Sequence, residues 1–243
     1  MRPDRESAGY TFVFAFVVCV ACGLVLSFVA QSLRARQEFN AALEVRKSIL
    51  QAARVVPGAL QKVPLQEINS LFERNIRSVR VDSQGGVQAF SGAKDQNPSQ
   101  EGNPLYIYHE QDRPVAYIFP VEGSGLWGQI HGFLALEADG ITVRGLAFSS
   151  HSETPGLGGE IDKESFLKGF YGKKIWDEKS RQLVSVTIAK GRAADRVGSE
   201  RLPYYVDGIS GATLTGDGIN VFLKDTLLRY KPFLARIRVG ERP

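Results

Sequence analysis

The residues best suited to chemistry lie between positions 207 and 216, which read Asp-Gly-Ile-Ser-Gly-Ala-Thr-Leu-Thr-Gly. Residues able to line a core follow at the three- and four-residue spacing of an amphipathic helix, namely Ile219, Phe222, Leu223, Thr226, Leu227 and Tyr230. Thr213 is therefore expected in or just before a first helical turn, where unpaired backbone N–H groups and the helix dipole attract a phosphate. Ser210, Gly211 and Ala212 carry little bulk and would let a large group approach the backbone. The stretch predicts a phosphate-ligand site with a hydroxyl at its centre.

Two other interpretations fit the same residues. Thr213 could be an ordinary helix cap, a position that serine and threonine favour. Ser210 or Thr213 could instead be the nucleophile of a hydrolase, which requires a neighbouring base. The chain has three histidines, and their spacing does not single one out as that base; they are His109, His131 and His151.

Two further segments are rich in glycine. Residues 152–160 read Ser-Glu-Thr-Pro-Gly-Leu-Gly-Gly-Glu, which is typical of a tight surface loop. Such a loop can also bring backbone amides close to a flat ring, with Leu157 on the ring face and Thr154 donating a hydrogen bond. Residues 125–132 read Gly-Leu-Trp-Gly-Gln-Ile-His-Gly, so Trp127 is either a packed surface anchor or part of a cofactor pocket. The glycine spacing of 152–160 does not follow the dinucleotide-binding pattern.

The pattern Asp-x-x-Ser-Gly-Ala-Thr at 207–213 resembles the flavinylation motif of FMN-binding domains, whose last threonine carries FMN through a phosphoester. Segments 125–132 and 152–160, the apolar N-terminus and the ending 232–238 extend the likeness over most of the chain. Together they resemble the NqrC family, the C subunits of the Na⁺-translocating NADH:quinone reductases.

This resemblance implies a membrane-anchored flavoprotein subunit that relays electrons through an FMN held covalently on Thr213. It implies partnership with the other subunits of the complex and with a flavin transferase, and no binding of NADH by this chain. Catalytic side chains and a metal site are not expected. The residues expected to hold FMN are Asp207, Ser210, Gly211, Ala212, Thr213 and Leu214, with Trp127, Glu153, Thr154, Gly156, Leu157 and Gly158 on the ring side.

Two related functions stay open. The G subunit of the Rnf electron-transport complex shares both the anchor and the motif. Gly158-Gly159-Glu160 and the ending Pro232-Phe-Leu favour the quinone reductase. A membrane-tethered FMN-binding or sensory module outside any pump is the other alternative.

The N-terminus indicates an uncleaved membrane anchor. Residues 11–30 contain no charge and no proline. This run has about the length needed to cross the hydrocarbon core. The run is longer than the apolar region of a signal peptide, and Arg34 and Arg36 follow it without a helix breaker. Cys19 and Cys22 lie inside the run, where thiols usually behave as small hydrophobic groups.

Composition and periodicity predict the remaining organisation. With 243 residues, 43% of them hydrophobic, the chain can hold one globular domain and an accessory segment. Its net charge is +4, and its basic residues are scattered, so the sequence shows no nucleic-acid-binding signature. We expect a tail at 1–9, a transmembrane helix at 10–33, an amphipathic stalk helix at 34–56 and a soluble FMN-binding domain at 57–243. Strand signals alternate with a few helices, which favours an α+β fold with a largely antiparallel sheet and flanking helices. The strands are expected at 78–82, 87–90, 105–108, 115–119, 130–137, 141–148 and 183–189, the helices at 162–170, after Pro64 and after Thr213, a two-residue hairpin turn at Asp139-Gly140, and loops at 91–103 and 191–200.

The charges around the anchor do not favour export of the domain. Acidic residues offset the arginines in the tail, whereas basic residues follow the helix at Arg34, Arg36, Arg46 and Lys47. Counting positive charges alone would leave the domain in the cytoplasm or undecided. The resemblance implies instead an inner-membrane protein whose domain faces the periplasm, where the flavin transferase works. Long domains translocate largely regardless of flanking charge, so we expect the periplasmic orientation.

Overall fold

The computed structural model describes residues 8–55, 63–89 and 102–241. The chain divides into two compact units, Met1–Glu44 and Val45–Pro243. Helix α1 is a single uninterrupted helix, Ala8–Ala52, so the predicted membrane and stalk segments are continuous. Its apolar part is long enough to cross a membrane, and its side chains there are exposed.

The second unit is built on a six-stranded antiparallel sheet with the strand order β2-β1-β3-β4-β5-β6. This confirms the predicted α+β class. The strands are β1 (Ile76–Val81), β2 (Val87–Ala89), β3 (Asn103–Glu110), β4 (Arg113–Ser124), β5 (Gln129–Glu137) and β6 (Val143–Ser150). A short parallel pair, β7 (Thr187–Ile188) and β8 (Tyr205–Val206), lies apart from this sheet.

Helices cover both faces of the large sheet. On one face lie α4 (Thr213–Arg229) and α5 (Lys231–Arg238), where the rings of Phe119 and Tyr230 meet edge to face with centroids 4.9 Å apart. Against the opposite face lie α2 (Leu65–Asn75) and the last turns of α1. The Ser48 hydroxyl there donates to the Phe148 carbonyl at 3.4 Å, and Leu50 is fully buried.

Some predicted elements differ from the structure. The helix predicted at 162–170 is divided into a 3₁₀ turn (Gly158–Asp162), the short helix α3 (Glu164–Leu167) and a second 3₁₀ turn (Lys168–Phe170). The strand predicted at 183–189 is reduced to β7 because Ser185 has φ of +65°, which an extended strand cannot include. The loop predicted at 191–200 contains the 3₁₀ turn Ala193–Asp195 and the start of another, Ser199–Tyr204. Of the loop predicted at 91–103, residues 91–101 lie outside the described residues, and Asn103 already begins β3.

The hairpin between β5 and β6 has a wider loop than the two residues predicted. The Glu137 N–H donates to the Thr142 carbonyl, and the Gly140 N–H donates to the Glu137 carbonyl. Asp139 Oδ1 accepts hydrogen bonds from the backbone N–H groups of Ile141 and Thr142, at 2.7 and 2.9 Å. This side-chain turn satisfies the backbone of the longer loop, a use of aspartate that competes with the tight hairpin.

Candidate functional site

A tight turn leads directly into α4. The Ala212 N–H donates to the Ile209 carbonyl at 3.1 Å, and Gly211, at φ of +75°, occupies the third position of that turn. Glycine is preferred there because a Cβ atom makes positive φ costly. The helix begins at Thr213, as predicted, and Ala212 takes the cap position. The alternative in which Thr213 is the helix cap is therefore wrong, and within the described residues no side-chain hydrogen bond caps α4.

The loop at 152–160 packs against this turn. A Cβ atom on Gly211 would stand 2.7 Å from Leu157 Cδ2, so the leucine occupies the space that a larger residue would need. The loop folds around the Thr154 carbonyl, which accepts the N–H groups of Leu157 and Gly159 at 3.1 and 2.9 Å. Gly156, at φ of +79°, provides the bend between them. The structure thus brings together two of the three segments singled out in the sequence.

Glu153 joins the third segment to the other two. Its side chain is only 5% exposed, and each carboxylate oxygen accepts one hydrogen bond. Oε1 accepts the backbone N–H of Trp127 at 2.9 Å, and Oε2 accepts the hydroxyl of Thr215 at 2.5 Å. The Glu153 side chain therefore points into the protein rather than toward a ring lying on the surface. Thr215 is 1% exposed, and its role as the partner of a buried carboxylate was not predicted from the sequence.

Large apolar side chains remain exposed around the start of α4. We call this set the apolar rim: Leu126, Trp127, Leu157 and Leu214, exposed by 48, 68, 45 and 62%. Leu214 follows Thr213 in the chain, Leu157 lies against Gly211, and the Trp127 backbone is bonded to Glu153. Clusters of exposed apolar side chains are typical of binding sites. The rim can support the face or edge of a flat apolar ligand next to the Thr213 hydroxyl.

The chain that enters the turn is fixed by Asp207 and Gly208. Asp207 Oδ1 accepts the Ala193 N–H at 2.7 Å, and the Gly208 N–H donates to the Gly191 carbonyl at 2.8 Å. A Cβ atom on Gly208 would lie 2.0 Å from the Ala189 carbonyl oxygen, so only glycine allows this approach. Asp207 thus orients the backbone of the motif, and the Ser210 side chain is exposed at the turn itself.

A cation lies beside Thr213. Lys190 and Thr213 line the same narrow cleft, together with Asp217. Lys190 Nζ is 3.2 Å from Asp217 Oδ2, and both side chains are largely exposed, so this pair contributes little to stability. The ammonium group can instead neutralise an anion at the start of α4. Periodicity and spacing do not single out Lys190, because it reaches Thr213 only through the fold.

Asn220, two turns further along the same face of α4, holds the helix to Ile188, which lines the same cleft. Its Oδ1 accepts the Ile188 N–H at 2.6 Å, and its Nδ2 donates to the Ile188 carbonyl at 3.0 Å. This pair of bonds completes the backbone pairing of the two-residue strand β7. Asn220 was also absent from the sequence predictions, since its partner is 32 residues away.

The histidines do not form a nucleophile–base pair in this structure. His151 Nδ1 accepts the Glu153 N–H at 3.1 Å, which leaves Nε2 to donate to Asp162 Oδ2 at 2.7 Å. Both ring nitrogens are thereby engaged. Among the described residues, hydrogen bonds from a histidine ring to Ser210 or Thr213 are absent. The geometry gives the hydrolase interpretation no support.

Comparisons with known proteins agree with this geometry. The family model of the FMN-binding domain matches residues 125–228, which contain all three segments. The C subunit of the Na(+)-translocating NADH-quinone reductase from Pseudomonas aeruginosa is 32% identical over 98% of this chain and 99% of that protein. The corresponding protein from Vibrio vulnificus is 34% identical over 98% of each.

A solved structure extends the likeness to three dimensions. The crystal structure of the C subunit of the Na(+)-translocating NADH-quinone reductase from Parabacteroides distasonis is 30% identical and superimposes with a TM-score of 0.69. The match covers 87% of this chain and 98% of that one. The fold, the three assembled segments and the full-length relatives lead to one conclusion: this chain belongs to the NqrC family, the C subunits of the Na(+)-translocating NADH-quinone reductases.

Proposed function

We propose that this protein relays electrons through an FMN esterified to Thr213, as a subunit of a membrane-bound NADH:quinone reductase. One observation carries the proposal. Thr213 is exposed at the first residue of a 17-residue helix, beside a rim of exposed apolar side chains. A phosphate and a flat ring, joined by a flexible chain, match these two neighbouring features.

The phosphate end fits the start of α4. The first-turn N–H groups of a helix lack intrahelical partners and favour an anion. Lys190 adds a positive charge in the same cleft. The positive φ of Gly211 and the small side chain of Ala212 keep the approach to the hydroxyl open.

The ring end fits the apolar rim. Leu157 and Trp127 are the residues we expect to contact the isoalloxazine, with Thr154, Gly156 and Gly158 shaping the loop beneath it. A bound FMN supplies reversible one- and two-electron chemistry. Within the protein, the rim excludes water from the ring while the surrounding charges and hydrogen bonds set its potential.

Attachment requires an activated donor, which we assign to the class of flavin phosphoanhydrides delivered by a transferase. The Thr213 hydroxyl oxygen attacks the flavin phosphorus, a new O–P bond forms, and the anhydride bond to the leaving phosphate breaks. The leaving group keeps the electron pair, and the transferase takes the hydroxyl proton. The protein gains the mass of FMN less one water, and the flavin's redox state is unchanged. A covalent link retains the cofactor regardless of its free concentration.

The anchor is consistent with a place in a membrane complex. Helix α1 is long and apolar enough for a single span. We infer that the domain faces the periplasm, where the transferase would reach Thr213, and that the other reductase subunits and the membrane lipid are its partners. The relatives are named as one subunit of that reductase, which supports partner subunits.

Mass spectrometry tests the proposal directly. The full-length protein is expressed together with the flavin transferase that would modify it, and its mass is measured intact and as peptides. One FMN less one water is expected on the peptide that contains Thr213. The Thr213→Ala variant should carry none, whereas Ser210→Ala should still be modified. Flavin on Ser210 or on the buried Thr215, or an unmodified wild-type protein, would contradict the assignment.

A further inference from the structure

We propose that Glu153 is a positioning residue. Its two hydrogen bonds fix the segment at Trp127 and the 152–160 loop to α4, the helix that begins at Thr213. The inference rests on the proposed function, because the two parts it joins are those expected to hold the two ends of FMN. One carboxylate oxygen accepts the Trp127 N–H, and the other accepts the Thr215 hydroxyl, two residues after Thr213. We call this arrangement the Glu153 joint.

Each of the three segments contributes a part that the joint needs. A Cβ atom on Gly125 would stand 2.5 Å from Glu153 Oε1, and one on Gly158 would stand 2.5 Å from Oε2. The Cβ atom added to Gly158 would also lie 2.7 Å from Thr215 Oγ1. The two glycines therefore leave the space that the carboxylate occupies, which gives them a role distinct from contact with a ligand.

The joint is favourable only when it is complete. A buried carboxylate that loses a donor still carries the free-energy cost of its desolvation. Removing either hydrogen bond to Glu153 should therefore destabilise the joint as a whole. Thr215 is the third residue of α4, which places the carboxylate near the positive end of the helix dipole. His151 supports the same loop by accepting the Glu153 N–H at 3.1 Å.

Breaking the joint should separate two properties of the flavin. Thr213 is exposed and takes no part in the joint, so attachment should persist. The Trp127 loop, released from α4, should cover the ring less completely. Solvent access to the ring is therefore the property that the joint controls.

The test compares variants of the full-length flavinylated protein in detergent micelles. Thr215→Val removes the hydroxyl while keeping the branched shape of the threonine side chain, and Thr215→Ser keeps the hydroxyl. Glu153→Leu removes both bonds. Glu153→Gln can keep both, since its oxygen accepts the Trp127 N–H and its amide donates to the Thr215 oxygen. Glu164→Gln, which changes an exposed carboxylate paired with Lys168, is the matched control.

Iodide quenching of the flavin fluorescence and the visible absorption spectrum report the ring environment. Thermal melting of each unflavinylated protein shows how much of any change is loss of fold. We expect Thr215→Val and Glu153→Leu to raise the quenching constant about twofold or more, since pockets bury most of a ligand's surface. Thr215→Ser, Glu153→Gln and Glu164→Gln should match the wild type.

The outcomes distinguish this inference from the proposed function. Flavin on Thr213 in every protein, with quenching and spectra of Thr215→Val equal to those of Thr215→Ser, would overturn the Glu153 joint alone. The mild Thr215→Val change decides the matter even if Glu153→Leu fails to fold. A wild-type protein that gains no flavin would overturn the proposed function and this inference with it.

Discussion

Gly218 allows α4 to lie directly on the end of β4, and replacing it tests how this helix is held. A Cβ atom at this position would stand 2.3 Å from the Ser124 carbonyl oxygen and 3.5 Å from Gly125 Cα. The first distance is more than about 1 Å inside ordinary contact. Both neighbours are backbone atoms of the segment that leads to Trp127, so a rotamer change cannot relieve the overlap.

Two opposing effects set the magnitude of Gly218→Ala. Alanine in a helix interior is more stable than glycine by roughly 0.5–1 kcal/mol, which favours the variant. Overpacking costs about 1–3 kcal/mol, and we take about 3 because the clash is with backbone. The net loss is then about 2 kcal/mol. For a domain of this size that corresponds to a melting temperature about 4–8 °C lower.

Gly216→Ala is the matched control in the same helix. Its Cβ would lie 3.4 Å from Ile188 Cγ2, an ordinary contact. The helix-propensity gain should therefore remain, and the melting temperature should rise by about 1–4 °C. Melting of the two full-length variants, followed by tryptophan fluorescence, measures both shifts. If Gly218→Ala melts at or above the wild-type temperature, the close approach of α4 to β4 is not as the structure has it.

Three further predictions address the ring, the helix and the orientation. Leu157→Asp should shift the flavin spectrum and potential while leaving attachment intact, whereas Leu228→Asp, on an exposed part of α4 distant from Thr213, should change neither; equal spectra for the two variants would refute the ring placement. Asn220→Ala should lower stability by about 1–3 kcal/mol in thermal melts, because the Ile188 N–H and carbonyl lose their partners, and Asn220→Asp, which keeps the acceptor, should lose less; a wild-type melt for Asn220→Ala would refute this. A C-terminal reporter active only outside the cytoplasm should be active in cells; activity of a cytoplasm-only reporter, with FMN still attached, would reverse the proposed topology.

Local patterns in the sequence were sufficient for the elements themselves. The spacing of core residues after Thr213 located the start of α4, and alternating apolar runs located most strands of the large sheet. These predictions succeeded because helix and strand periodicity depend on residues within one or two turns. The strand prediction at 183–189 was wrong at Ser185, because a single residue at positive φ ends an extended segment without altering its apolar pattern.

The tertiary structure alone decided which side chains meet. Glu153 and Thr215 are 62 residues apart, and Asn220 and Ile188 are 32 apart, so no local spacing indicates either pair. The sequence placed Glu153 in a loop suited to a ring, but burial turned its carboxylate inward to two donors on other segments. A buried charged group must find hydrogen-bond partners wherever the fold supplies them. The motif thus predicted Thr213 as the place for a phosphate, and the packing of α4 against β4 and the 152–160 loop determined what surrounds that residue.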